Sequence, residues 1–378
     1  MRPGRRRRGL DPVPGPARGE TDVRALVLWA DDRSPNLGVR ALAHGTAALL
    51  RRAFDDVTVE FQSSGRGVAP VPVGGPRQLV REHVTGHHGL RRWISGYDVV
   101  VDTRSGDSFA DIYGLPRLTT MSLMAELATR SGVPVVLGPQ TIGPFSTLAG
   151  RAVARRSLAR ATTVMARDHL SAQAAASLGR EVDVLTTDVV FALPVPEVER
   201  DRDVVLNVSG LLWQPGPHVD ATRYRTTVTT ILDELTAQGR RVTLLAHVLA
   251  SRGHDDDVPV VRELAAERGL EAVVPEDLDE VRRVVASATV VLGSRMHACL
   301  NALSVGTPAV PLAYSRKFAP LLEALGWHAT VDLREDPDPA ATALALVADP
   351  TLAAQAARVR ETALTALLPA EAALRKLA

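Results

Sequence analysis

Short apolar runs alternate with stretches of helical period along most of the chain. Val23 to Trp29 is a near-continuous apolar run with β-branched and aromatic members, as expected of a strand buried in a parallel sheet. A polar turn, Ser34-Pro-Asn-Leu-Gly38, follows it. Val39, Leu42, Thr46, Leu49, Leu50 and Phe54 then return at helical spacing. Val57–Phe61 reads as a second strand, and residues 62–92, rich in Gly, Pro and His, show no clear period. Beyond them, strands are predicted at Asp98–Asp102, Val133–Leu137, Thr163–Met165 and Val182–Leu185, separated by helices at Leu118–Thr129, Leu148–Arg160 and Leu170–Leu178.

Leu193–Arg202, broken by proline and charged, reads as a linker. A second series follows, with strands at Val204–Val208, Val242–Ala246, Ala272–Val274, Val290–Leu292, Ala309–Leu312 and Ala329–Val331. Helices are predicted between them at Arg225–Gln238, Val258–Arg268, Leu278–Ala288, His297–Val305 and Phe318–Leu325, and Ala- and Leu-rich helices from Pro339 to the end. Regular alternation of strand and helix implies parallel sheets covered on both faces. The expected architecture is α/β: a Rossmann-like domain over 23–195, a second over 203–335 and helices over 336–378, with a basic, disordered tail at 1–22. The two sheets are expected to face a central cleft, because ligands of such sheets bind beyond the carboxyl ends of the strands.

Charge narrows the function. Residues 1–22 carry six arginines against three acids, a net +3, which leaves −2 for the remainder. The folded part is therefore not a basic nucleic-acid binder. The Arg5–Arg8 cluster reads as a solvated tail, or as one that touches acidic lipid headgroups at the inner face of a membrane. No run approaches the apolar length of a membrane span, no apolar leader follows the basic start, and Cys299 is the sole cysteine. A reducing, cytoplasmic setting is expected. Lysine occurs only at 317 and 376, and asparagine only at 36, 207 and 301. In a chain so poor in both, each such residue gains interest as a candidate for chemistry.

The sharpest cluster is Gly293-Ser-Arg-Met-His297, after one predicted strand and at the start of a helix. Such a turn directs backbone N–H groups and positive dipole at an anion. Arg295 offers a planar fork for phosphate or carboxylate, and His297 a general acid beside it. The alternative is a surface ion pair and a helix-start histidine. Tyr314-Ser-Arg-Lys317 follows the next strand, so Arg316 and Lys317 end up at the same sheet edge. Arg167-Asp-His169 follows a first-domain strand and faces the cleft from the other side, or else Asp168 only caps a helix. Gly138-Pro-Gln-Thr-Ile-Gly-Pro144 is a pinned loop suited to a sugar subsite, or a structural turn. Asp107 and Asp111 follow another strand and offer carboxylates to sugar hydroxyls, with turn and capping chemistry as the alternative. Asn207, Ser209 and Gly210 end the first strand of the second domain, a phosphate-facing position. His247 with Asp255, Asp256 and Asp257 meets no metal-ligand spacing. Walker, dinucleotide and nucleophile-elbow motifs are absent from the sequence.

Taken in order, Gly293-Ser-Arg-Met-His297, Gly306-Thr-Pro308 and Tyr314-Ser-Arg-Lys317 resemble the C-terminal signature of polysaccharide pyruvyltransferases. Asn36-Leu-Gly38, the Gly138–Pro144 loop, Arg167-Asp168 with Ser171, Thr187-Asp188, Asn207-Val-Ser209 and His247 occur in the family's order. The resemblance covers residues 23–332 and departs from the family at Val39, where an acid is usual. It implies a glycosyltransferase-B-like fold and transfer of pyruvate from phosphoenolpyruvate to a glycan or a lipid-linked saccharide, without cofactor or metal. His297 and Arg295 are then the catalytic candidates. Arg167, Asn207, Ser209, Ser294, Arg295, Met296, His297 and Lys317 are candidates for the donor, and Asn36, Asp107, Asp111 and Gln140 for the acceptor. A nucleotide-sugar glycosyltransferase and a non-catalytic scaffold of polysaccharide assembly are the competing readings. Oligomeric state is not readable.

Overall fold

A computed structural model describes residues 22–250 and 255–377. The expected tail therefore falls, apart from Asp22, outside the described residues. Two sheets organise the chain. The first holds β1 (Val23–Leu28), β2 (Val57–Ser63), β3 (Arg66–Gly67), β4 (Val99–Asp102), β5 (Val135–Gln140), β6 (Thr163–Ala166) and β7 (Val184–Leu185). Their spatial order is β3-β2-β1-β4-β5-β6-β7, parallel except for β3. The second holds β8 (Arg202–Asn207), β9 (Val242–Leu245), β10 (Glu271–Val273), β11 (Ala288–Gly293), β12 (Ala309–Ala313) and β13 (Val331–Asp332), in the order β10-β9-β8-β11-β12-β13, all parallel. Strand order reverses beside β1 in one sheet and beside β8 in the other. That reversal opens a crevice at the carboxyl ends of both. The α/β architecture with two parallel sheets and a helical C-terminus is the one expected.

Two stretches differ from the sequence pattern. Pro134 has no N–H for the ladder, so β5 starts at Val135. It continues to Gln140 through a register irregularity after Leu137. Residues 62–92 are not formless: they hold β3 and helices at Pro76–Thr85 and Leu90–Ile94. Their order comes from two buried polar side chains. Gln62 accepts the Ala69 N–H and donates to the Ser63 and Arg66 carbonyls. The carboxylate of Glu82 accepts the N–H groups of His88 and Arg91, 2.7 and 3.0 Å away.

The lobes share one continuous apolar core that runs from Ala25 and Val27 in the first sheet to Leu303 and Leu374. Helix Leu37–Ala53 lies at their seam, capped by Asn36, whose Oδ1 accepts the Gly38 N–H. Main chain also crosses the seam: Leu37 N–H donates to the His247 carbonyl (3.1 Å) and Leu249 N–H to the Pro35 carbonyl (2.7 Å). Helix Leu352–Arg375 returns from the second lobe to the first. There the Thr186 hydroxyl donates to the Ala366 carbonyl and Arg375 donates to the Arg52 carbonyl.

Within the first lobe, the packing behind this seam is tight at Gly45. A Cβ built on it lies 2.4 Å from the carbonyl oxygen of Val189, one residue past Asp188. Alanine gains up to about 1 kcal/mol in helix propensity, and the backbone clash outweighs it. Gly45→Ala should lose about 1–3 kcal/mol of stability in urea denaturation; an unchanged midpoint would refute the close packing described.

Candidate active site

The carboxyl ends of both sheets line a cleft of about 840 Å³ between the lobes. Each wall is built on strand ends. On the second-lobe side β11 stops at Gly293, where any Cβ would lie 2.9 Å from Cys299 Sγ, and a helix begins at Met296. The Arg295 N–H donates to Asn207 Oδ1 (2.9 Å), and Asn207 Nδ2 donates to the Leu245 carbonyl (3.0 Å). Ser294 Oγ is 2.7 Å from the Tyr224 hydroxyl, whose oxygen also accepts the Ser209 N–H. Asn207, Ser209 and Ser294 are fully buried and Met296 nearly so, and none of the four lines the cleft. These four donor candidates therefore stand behind the cleft wall and not on it. Asn207, Ser209 and Ser294 tie the ends of β8, β9 and β11 together beneath the surface that a ligand meets.

Arg295 lines the cleft but is not a free cation. Its Nη2 donates to Asp257 Oδ1 (2.7 Å) and its Nη1 lies 2.6 Å from Asp255 Oδ1. Asp257 is fully buried and also accepts the N–H groups of Gly210, His247 and Val248. Burial works against the Arg295 charge, and the two carboxylates overcome it, so its pKa is raised. An anion in the cleft competes for this guanidinium with Asp255, the more exposed partner.

The first-lobe side contributes Arg167 and Asp188. Arg167, at the end of β6, is buried; its Nη1 donates to Asp188 Oδ2 (2.7 Å) and its Nη2 to the Thr141 hydroxyl (2.8 Å). Thr141 in turn lines the cleft. His297 meets this pair from the other lobe, its Nε2 3.4 Å from Asp188 Oδ2. That nitrogen has no hydrogen-bond partner, although the side chain is only 14% exposed. Burial acts to raise the Asp188 carboxyl. The facing His297 and the Arg167 guanidinium act more strongly, and the net shift is downward. His247, fully buried with its own Nε2 unpartnered, sits near His297 and Arg295 and is held well below the usual histidine range by burial and by their charge. A Cβ on Gly38 would lie 2.9 Å from His297 Nδ1, so glycine leaves the imidazole its room.

Lys317 and Asp107 join across the mouth. Lys317 Nζ donates to Asp107 Oδ2 (2.8 Å), which also accepts the Tyr113 hydroxyl (2.9 Å). Burial acts to raise Asp107, but Lys317, Tyr113 and Arg167 bring it down to about 2. Asp107 is aimed by a strained turn: Arg104 and Ser105 both have left-handed φ, 48° and 52°, an arrangement costing on the order of 1–3 kcal/mol per residue. The fully buried Arg104 secures it through Asp102, Ser122 and Ser157. Arg316 also lines the cleft and has no acidic partner among the described residues.

Arg295 and Lys317 thus line one cleft, and His297 stands at the seam beside it rather than on its wall. Of the acceptor candidates, Asn36 and Asp107 line the cleft; the other two do not. Asp111 is a structural staple. Its carboxylate accepts the N–H and hydroxyl groups of Ser146 and Thr147, which against burial hold it at about 2. Gln140 is fully buried at the end of β5, its amide without a partner. Sequence reasoning named Thr141 only within the Gly138–Pro144 loop, weighed His247 and Asp255–Asp257 only against metal spacing, and treated Asp188 only as a matching position; none of the ion pairs they make was foreseen. Among the described residues no group of three or more His, Cys, Asp or Glu side chains is placed to hold a metal ion.

The sequence profile of a family described as polysaccharide pyruvyl transferase matches residues 36–316. No curated protein matches the chain. Among solved structures, UDP-GlcNAc 2-epimerase from Neisseria meningitidis bound to UDP-GlcNAc aligns over 92% of this chain and 100% of its own, with a TM-score of 0.57 and 11% identity. Anabaena HepE in complex with UDP and glucose aligns over 94% and 98%, with a TM-score of 0.56 and 14% identity. At such identities the likeness concerns the fold, which is of the glycosyltransferase-B type.

Two outcomes follow from the ion pairs. Asp257→Asn leaves the buried Arg295 without its inner partner and should cost about 3–5 kcal/mol in urea denaturation; a loss under 1 kcal/mol would contradict the clamp. Asp107, with its lowered pKa, stabilises the fold fully above the ordinary value of 3.8, and that contribution is lost as pH falls toward about 2. Asp107→Asn should therefore melt below wild type at neutral pH, with the gap closing from about pH 4 downward. A gap independent of pH would show that the Lys317 pair does not stabilise closure.

Proposed function

The chain belongs to the polysaccharide pyruvyl transferase family, a family of transferases whose profile covers residues 36–316, and from that premise we propose that it transfers the pyruvyl group of phosphoenolpyruvate to a sugar as a cyclic ketal. The acceptor is a cell-surface polysaccharide or its lipid-linked precursor. The observation that carries this reading is the meeting of the two lobes at the cleft, Arg167 and His297 converging on Asp188 beside it and Asp107 pairing with Lys317 on its wall.

Phosphoenolpyruvate is small and multiply anionic, and holding it takes several cations in one place. Lys317 and Arg316 serve its charged groups from the cleft wall, with Arg295 once Asp255 yields. Arg167 acts behind them through Thr141 and Asp188. His297 is the general acid, a role supported by its unpartnered Nε2. It delivers a proton to the methylene carbon and leaves C2 electron-poor. A sugar hydroxyl bonds to C2, the bond from C2 to the phosphate oxygen breaks, and a second hydroxyl of the same sugar closes the ring. Of the two hydroxyl hydrogens, one ends in the new methyl group and the other on the released phosphate. Asp107 and Asn36, from the first lobe, face the acceptor, and the cleft has room for a saccharide beside a three-carbon donor. The reaction calls for no redox cofactor.

His297→Ala should lower phosphate release from phosphoenolpyruvate by about 10²–10⁴-fold while the donor still raises the melting temperature. Unchanged turnover would remove His297 from the chemistry. Stabilisation by a nucleotide sugar, with none by phosphoenolpyruvate, would favour a glycosyltransferase instead.

A further inference from the structure

A basic and apolar surface borders the mouth of the cleft on the first lobe. Residues 112–177 contain seven arginines against two acids, Glu126 and Asp168, in a chain whose net charge is only +1. Both acids are already engaged. Glu126 pairs with Arg130 and Arg156, and the buried Asp168 accepts the N–H and hydroxyl of Ser171. Arg117, Arg151, Arg155 and Arg160 are exposed and have no ion pair among the described residues. Helix Leu148–Arg160, which carries three of them, contains no acidic residue.

Large apolar side chains stand out from the same surface. Leu148, in the first turn of that helix, is 88% exposed, and Ile112 is 60% exposed. Tyr113, Leu115 and Leu170 are exposed as well. The Asp111 staple to Ser146 and Thr147 brings the loop at Ile112 and the helix start at Leu148 together. Ile112, Tyr113 and Leu170 form part of the cleft's own lining, so this patch and the cleft mouth are continuous. These side chains protrude from separate loops and helix ends and do not form a groove for a peptide. Clustered exposed apolar residues mark an interaction site. With uncompensated arginines around them, they match a surface of anionic headgroups over hydrocarbon. No single described helix is long and apolar enough to cross a membrane.

We propose that this face docks the protein on an anionic lipid bilayer, with Leu148 and Ile112 entering the headgroup region and Arg117, Arg151 and Arg155 meeting lipid phosphates. The cleft mouth then opens toward the bilayer, and a saccharide carried on a lipid reaches it without leaving the membrane. Docking stands on the surface alone; only its use for a lipid-linked acceptor rests on the transfer reading above.

The test is cosedimentation of the full chain with vesicles of phosphatidylcholine, with and without phosphatidylglycerol. Wild type should bind the anionic vesicles, less so as salt rises, and ignore the neutral ones. A combined Leu148→Ser, Arg151→Gln, Arg155→Gln variant, altered only at exposed positions away from the cleft lining, should partition at least about tenfold more weakly. Leu368→Ser, an exposed leucine on the C-terminal helix, should leave binding unchanged. Wild type that stays in the supernatant overturns the proposal. So does a combined variant that binds like wild type, because the contact then lies elsewhere, the arginines of residues 1–21 included. Vesicle binding without phosphate release from phosphoenolpyruvate would sink the transfer reading and leave the docking face standing.

Discussion

The geometry of the cleft depends on one buried carboxylate. Asp188 belongs to the first lobe, is fully buried, and accepts from the Val190 N–H and from Arg167 while facing His297 of the second lobe. A carboxylate in that position is costly unless cations and donors surround it. Arg167, the Val190 N–H and the facing His297 do so here, and they lower its pKa against burial. Removing Arg167 would leave that buried carboxylate without its ion-pair partner. The placement of the lobes and the placement of the histidine are therefore the same problem, and the main-chain bonds from Pro35 and Leu37 to Leu249 and His247 reinforce the one solution.

The same device recurs at other strand ends. Asp102 holds Arg104 at the end of β4, and Asp257 holds Arg295 beyond β11. In each case a fully buried aspartate fixes an arginine where the backbone leaves the sheet. At β4 that anchor supports two residues in left-handed conformation, and the result is a carboxylate, Asp107, delivered to the cleft. Polar groups preorganised in this way need not rearrange when charge develops on a ligand.

Much of this was legible in the sequence, for identifiable reasons. Parallel strands buried on both faces leave near-continuous apolar runs such as Val204–Val208, and the turn after each one marks a strand end. Since ligands gather at strand ends, the residues after Leu292, Leu312 and Met165 were candidates before any coordinates. What a local pattern cannot carry is a partner far along the chain. Arg295 reads as an open anion site until Asp257, 38 residues earlier, is seen to occupy it. Asp111 reads as a sugar ligand until Ser146 and Thr147 are seen to surround it. The elements between residues 62 and 92 were missed for a related reason: they are ordered by Gln62 and Glu82 reaching across loops, with no amphipathic period to announce them.

The arrangement of carboxylates also bears on selectivity. Four aspartates hold the cations in and around the cleft, and they fall into two classes. Asp188 and Asp257 are fully buried, and Asp257 alone accepts three backbone N–H groups. Displacing either would strand charge and main-chain donors in the interior. Asp107 and Asp255 keep 22% and 44% of their side chains exposed. Each can swing into water, where its charge is solvated again. An incoming anion therefore competes with the second pair and not the first. A ligand with a single negative group can replace only one of the two. A compact ligand with two anionic groups can take the Lys317 site and the Arg295 site together, and the second exchange needs no further loss of translational freedom. On this account the cleft discriminates by the number and spacing of charges on a ligand, and its resting ion pairs, by occupying Lys317 and Arg295, are what exclude weaker anions from those two sites.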